Sequence, residues 1–330
     1  METNKTLKPV VYPETDLACK PEFQANSWFA IGHFEKDGHV LNWLFHMMIV
    51  AVPVGKFFNA NFSVTDETTG EYYAKDHIYP MFRCKISEGQ TANGKSFSLE
   101  CPCGKMSGNM NELHIQAEMP NAKVDCVMKR TGSIIHNAGT GSFMTFLGGC
   151  VQQFSMPHLE SSGKMTIGNN TYDISGDSWF DRQWQFSPEE QKKMHMHSNW
   201  KWGWMDLNLD NGETISVWEM YDLSKDSTTC WGTILHADGS QEVVDIIPMS
   251  KNCSNIWTSK KSRQKYPTKF IIRIPKKNAV LDVETDIPQQ EIVSSLSMLN
   301  KYEAACKVSG TYEGKAVSGY TYVELLGKWK

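Results

Sequence analysis

A single carboxylate stands among three aromatic side chains in the heptad Ser178-Trp179-Phe180-Asp181-Arg182-Gln183-Trp184. In a strand, successive side chains point to opposite faces. Trp179 and Asp181 would then share one face while Phe180 and Arg182 occupy the other. Asp181 can therefore enter an apolar cavity without its neighbouring arginine. Desolvation of that kind raises a carboxyl pKa and keeps the acid protonated near neutral pH, as a general acid requires. Electrophilic hydration of a substituted alkene needs such a donor, an apolar pocket that tolerates a carbocation, and one positioned water. The competing reading is a structural aspartate that accepts backbone N–H groups at a strand end.

Other residues fit around that acid. Trp179 and Phe154 can present π-faces to a developing cation, or simply fill a core, and Trp184 completes the aromatic surround. Trp200, Trp202 and Trp204 fall at spacing two and share a strand face with Asp206, which suits a cavity wall or the packing between two barrels. Glu219 and Tyr221 also share a face and are candidates to hold the water or act as a second acid or base. Arg182 can clamp a substrate oxygen or make a structural ion pair. His33 and His46, in the aromatic first hairpins, titrate near neutral pH and suit proton transfer. His195-x-His197 and Cys101-Pro-Cys103 have spacings that place ligands on one strand face, but neither is a four-partner zinc signature. No Gly-rich phosphate loop, nucleophile elbow or dinucleotide fingerprint occurs, so the expected chemistry uses no metal and no cofactor.

The elements that must position these residues read as strands. Short alternating runs cover 28–35, 39–50, 59–65, 113–117, 200–209, 214–221, 269–274 and 320–326, with hairpin turns at Asp37-Gly38, Asn211-Gly212 and Asp238-Gly239. Only 187–195 and 289–299 look helical. Trp28, Asp37-Gly38 and Trp43 are echoed by Trp202, Asn211-Gly212 and Trp218, as duplication of one β unit would produce, although tryptophan-rich hairpins can match by chance. The expected class is all-β, with a first domain over 1–190 ending in the Asp181 heptad and a second over 191–330. The ligand cavity is expected near their junction.

Composition bounds the function. The 330 residues are 40% hydrophobic and include 11 tryptophans, ample for wide cores or for walls around an apolar ligand. A net charge of -4 and a pI near 6.2 offer no footprint for nucleic acid or anionic lipid. The longest apolar stretch, 44–54, is too short for a membrane helix and is interrupted by His46 and Pro53. No secretory signal is expected in the first 25 residues, and nine scattered cysteines fit reduced thiols, so a soluble cytoplasmic chain is expected.

Several landmarks, in order, resemble the lipocalin-like carotenoid hydratases (hydroxyneurosporene synthases) and their relatives, which include kievitone hydratase-like proteins and fungal Diels-Alderases of decalin biosynthesis. Ser27-Trp28-Phe29-Ala30-Ile31-Gly32-His33-Phe34 with Asp37-Gly38 looks like the opening strand and turn, and 59–66 is similar to the second landmark. Phe154-Ser155-Met156-Pro157 with Ser162-Gly163-Lys164-Met165 precedes the signature Trp179-Phe180-Asp181-Arg182-Gln183-Trp184. Residues 319–325 look like the closing strand. Trp179 stands where a tyrosine often precedes the hydratase aspartate, and Gln185 where a glycine commonly follows. The resemblance implies tandem lipocalin-like β units and an aspartate at the position of Asp181 as proton donor. It also implies a hydrophobic prenylated, terpenoid or polyphenolic small molecule as partner. Hydration of a C=C bond leads the readings. A cofactor-free isomerase or cyclase acting on a polyene or polyphenol, and a carrier that stores an apolar ligand unchanged, are the alternatives.

Overall fold

The computed structural model describes residues 8–52, 55–193 and 199–329; His195 and His197 lie outside them. The fold is all-β, built from two curled antiparallel sheets, the first of thirteen strands and the second of ten. Both follow one plan. In the first sheet the opening strand, Ala25–Lys36, lies between its hairpin partner His39–Val52 and the last strand of the sheet, Asn170–Gln185, which carries Asp181. In the second, Trp200–Leu209 lies between Thr214–Asp222 and the closing strand Lys315–Gly327.

Strand alternation divides each sheet into an inner and an outer face. The inner face of the first sheet collects Trp28, Trp43, Phe45, Phe62, Phe154, Phe180 and Trp184 into one apolar core. Met205, Val217, Phe270, Tyr302 and Leu325 do the same in the second. The outer faces of the central strands then meet each other, and Phe29, Leu44, Trp179, Trp204, Trp218 and Tyr322 form a third apolar cluster between the sheets. The central strands are thus buried on both faces.

Several sequence expectations are corrected here. At Asp37-Gly38 both residues adopt positive φ, but at Asn211-Gly212 and Asp238-Gly239 only the glycine does. Residues 289–299 form no α-helix, only a single 3-10 turn at Ser297–Leu299. The Gln290 amide donates to the carbonyls of Ile287 and Ala305 and accepts from the Ala305 N–H and the Thr65 hydroxyl. Glu291 and Ile292 are thereby held as a short strand against Lys301–Tyr312. Among the described residues of 187–195, α-helix covers Pro188–Gln191, opened by a capping box between Ser187 and Glu190. The tryptophan echo is not an equivalence of positions: Trp28 and Trp43 point into the first core, whereas Trp202 and Trp218 face the junction.

Arg182, expected as a clamp on substrate or an ion pair, belongs to the first core. Its Nε donates to the Leu17 carbonyl at 3.2 Å, Nη2 to the Ala18 carbonyl at 2.7 Å and to Asn26 Oδ1 at 2.8 Å, and Nη1 to the carbonyls of Ser27 and Gln183. The guanidinium lies 4.1 Å from the centroid of Trp28 and 5.1 Å from that of Trp184. Burial holds its pKa down at about 9. Phe154 pairs with Arg182 across the sheet and shares this inward face. Arg182, Phe154 and Trp184 thus fasten the N-terminal segment to the first sheet and do not line the face of Asp181. Among the described residues no helix is long and apolar enough to cross a membrane.

Arg182→Met keeps much of the volume and removes the donor from four backbone carbonyls. We expect it to lower unfolding free energy by about 3 kcal/mol in urea titrations. An unchanged midpoint would contradict the fastening role.

Candidate active site

Asp181 sits at the centre of the junction, paired across strands with Phe29 on one side and Ser155 on the other. It is 5% exposed. Its Oδ1 accepts the Trp179 indole N–H at 2.7 Å and Oδ2 accepts the Gln153 amide at 3.0 Å. The Ser155 hydroxyl also favours the ionised form, as do these two donors. Burial outweighs all three, and the pKa rises to about 7, helped by the negative charge of Glu324. Among the described residues no cation pairs with this carboxyl. The surrounding rings are Trp179 and Phe29, each edge-on to Trp204 at 5.8 and 5.5 Å between centroids.

A second acid, Asp206, enters from the opposite sheet on the face of Trp202 and Trp204. Its Oδ1 accepts from the Tyr322 N–H at 2.5 Å and from the Thr321 hydroxyl at 3.3 Å, and Oδ2 from Asn208 at 3.0 Å. Burial, and then the charge of Asp181, hold its pKa well above the usual carboxylate range despite these donors. A crevice of about 10 Å³, room for roughly one water, runs beside Asp206, Trp179, Tyr322, Tyr320 and His33.

On the other side of Phe29 lies a polar cluster. The Lys301 ammonium stands 2.7 Å from His46 Nδ1, 2.9 Å from Glu303 Oε1 and 3.9 Å from Glu324. An ammonium only donates, so His46 Nδ1 accepts, and the ring proton on Nε2 donates to Ser27 Oγ at 2.7 Å. Burial, and then the Lys301 charge, push the His46 pKa well down. Ligand atoms of His46, Glu303 and Glu324 fall within 4.8 Å of one another, and the ammonium of Lys301 supplies the positive charge among them.

The structure brings together Asp181, Trp179, Trp202, Trp204, His33 and His46, with Trp200 stacked on Trp202 at 5.2 Å at the outer edge. His33 stacks on Tyr320 at 4.0 Å and hydrogen-bonds Asn42 at 2.7 Å. Two expected partners stand elsewhere. Glu219 and Tyr221 pair with Gly203 and Lys201, so they occupy the face opposite Trp202 and Trp204. Glu219 accepts the Ser250 N–H at 2.9 Å and Tyr221 donates to Asp226, and neither reaches Asp181. The Cys101 and Cys103 sulfurs lie 3.4 Å apart in the first core, and all nine cysteines are thiols.

A larger hollow of about 540 Å³ opens farther along the junction, between Phe143, Phe146 and Ala138 on the first sheet's side and Met220, Thr229 and Trp231 of the second sheet. Phe143 packs on Trp218 and Trp231 at 5.2 and 5.1 Å, and Trp218 lies opposite Trp204. An aromatic wall therefore separates this hollow from Asp181. A third cavity, of about 360 Å³, lies at the first sheet beside Phe23, Ile49 and Met81.

Because Trp179 donates to the ionised carboxylate, Trp179→Phe should move the Asp181 titration to higher pH, readable as a displaced basic limb in any activity or binding profile; an unmoved limb would contradict this. Stability follows from the same shift. An acid whose pKa is raised on folding contributes fully below the unfolded value near 4 and loses that contribution as pH climbs through about 7. Urea stability should fall over this window and fall less steeply in Asp181→Asn. Equal slopes would contradict it.

The chain has relatives among known proteins. Over residues 4–328 the chain matches the AttH-like family model. It is 23% identical over 301 residues to the dehydratase asqC of Emericella nidulans, covering 80% of this chain and 82% of that protein. It is 24% identical over 229 residues to the kievitone hydratase of Fusarium solani subsp. phaseoli, covering 66% and 61%. The crystal structure of kievitone hydratase from Nectria haematococca superimposes with a TM-score of 0.77 at 20% identity, over 98% of this chain and 95% of that one. Shared fold and near end-to-end match agree: this chain belongs to the AttH-like family.

Proposed function

We propose that the chain is an enzyme that adds water to, or removes it from, a carbon–carbon double bond of a hydrophobic small molecule, with Asp181 as the acid. The observation that carries this is the desolvated Asp181 carboxyl beneath Trp179, Phe29 and Trp204, without a cation partner among the described residues, its pKa raised by burial to about 7. The names dehydratase and kievitone hydratase in two relatives support the same chemistry.

In the hydration direction, Asp181 transfers its proton to the less substituted alkene carbon and becomes a carboxylate. The π electrons form the new C–H bond, and the positive charge on the more substituted carbon faces the rings of Trp179, Trp204 and Phe29. Water, held beside Asp206 in the crevice, forms the C–O bond and returns its proton to Asp181. Acid and base are then one residue, and the protein ends as it began. Asp206, whose ionisation is opposed by burial and by the charge of Asp181, orients the water. Dehydration is the reverse sequence. The apolar body of the substrate takes the hollow at Phe143 and Trp231, and its reactive end reaches Asp181 past Trp218 and Trp204, whose indoles must turn. Whether the natural substrate is prenylated, terpenoid or polyphenolic is set by the shape of that hollow.

Asp181→Asn keeps the volume and one of the two accepted hydrogen bonds but removes the acid. Turnover should fall by about 10²–10⁴, with substrate binding, followed by tryptophan quenching, changed little. In heavy-oxygen water the product of hydration must carry solvent oxygen. Undiminished turnover in the variant, or an oxygen-free rearranged product, would instead favour a cyclisation; a ligand recovered unaltered would mark a carrier.

A further inference from the structure

Beside the acid, the junction holds a set of buried polar atoms that make no hydrogen bond among the described residues. Glu303 is fully buried, and neither of its carboxyl oxygens accepts a hydrogen bond, although the Lys301 ammonium stands 2.9 Å from Oε1 at an unfavourable angle. The hydroxyls of Tyr72, Tyr322 and Ser63 are buried and equally unpaired. Four strands supply these side chains: Gly55–Asp66 and Glu71–Pro80 from the first sheet, Lys301–Tyr312 and Lys315–Gly327 from the second. They converge on one place. Ionisation of Tyr72 is opposed by burial and then by Tyr322 and Glu303, and that of Tyr322 by burial and then by Glu303. Ser63 stands close enough to ease ionisation of Tyr322 without meeting hydrogen-bond geometry.

Buried polar groups are normally paired, and each exception calls for an explanation. Here the orphans have a consistent chemistry. Two protonated phenols and a serine hydroxyl can donate, and the Lys301 ammonium beside them already donates to His46. Burial, with Glu324 adding to it and Lys301 opposing, favours the protonated form of Glu303, which makes that group a donor as well. Lys301 already has Glu324 as an ion-pair neighbour at 3.9 Å, so the site does not require an anion. It requires lone pairs. Tyr322 also lines the crevice beside Trp179, so a guest oxygen between the phenols lies next to the reacting end of the junction. The flat rings of Phe29 and Trp179, with Leu44 and Ile31 behind them, favour a planar conjugated group.

We propose that Tyr72 and Tyr322, backed by Lys301 and Glu303, form a receptor for the carbonyl oxygen of a conjugated ketone, which fixes how the substrate lies across the junction. This deepens the hydration reading and rests on it for the substrate, but the receptor is tested by binding alone. The full-length protein is titrated with a diaryl enone, 1,3-diphenylpropenone, and with its oxygen-free counterpart 1,3-diphenylpropene, reading tryptophan quenching and the enone absorption band. The enone should bind at least about 10-fold tighter than the hydrocarbon, with its band shifted to longer wavelength. Tyr72→Phe and Tyr322→Phe should each lose about 10-fold for the enone and nothing for the hydrocarbon. Thermal midpoints should not drop, because the deleted hydroxyls have no partner to lose; a purely structural hydroxyl would lower them. Equal affinities of the two probes for the native protein would overturn the proposal even if a variant failed to fold. Asp181→Asn should keep the preference for the enone. Undiminished turnover in Asp181→Asn with that preference intact would reject the reaction and leave the receptor.

Discussion

Burial of carboxyl groups between two sheets without matching cations is the constraint on which the rest of this structure depends. Asp181, Asp206 and Glu303 all lie at the junction, and one ammonium, that of Lys301, is shared between Glu303 and Glu324. An isolated charge in such a place is costly, so the groups respond by holding protons. Proton retention near neutral pH is then a property of the packing of the two sheets, and anything that separated them would return these acids to ordinary behaviour.

The junction is held by more than apolar contact. A chain of hydrogen bonds crosses it, from the Trp204 indole to Ser216, from Ser216 to Asn137 at 2.6 Å, and from Asn137 to Ser155 beside the acid. Thr65 reaches Gln290, and Ser294 reaches Asp76, which also gathers Asn59 and Asn61. Such networks demand one geometry, which keeps the carboxyl of Asp181 under its tryptophans. A single strand serves both purposes: its outward residues, Trp179 and Asp181, carry chemistry, while its inward residues, Phe180, Arg182 and Trp184, fasten the first core and the N-terminal segment to it.

Much of this was legible in the residues because strand alternation is a local rule. It separated Asp181 from Arg182 and put Asp206 with Trp200, Trp202 and Trp204. It failed where pairing decides the matter. Phe154 alternates like any strand residue, but only its register opposite Arg182 turns it inward, and Glu219 was sent away from the acid by pairing with Gly203. The polar alternation of Lys301-x-Glu303 and of Tyr320-x-Tyr322-x-Glu324 was visible as a pattern and reads as a solvated face. Only the docking of the second sheet buries it. Residues 289–299 misled for a similar reason: the Gln290 side chain, through partners on distant strands, overrides a local helical pattern.

The most direct test is the protonation state of Asp181 itself, read as the infrared C=O stretch of a protonated carboxylic acid in the difference between native protein and Asp181→Asn across a pH titration. The account predicts a band present at pH 5 that disappears with a midpoint near 7. A band already lost by pH 5, with the carboxylate present instead, would contradict it.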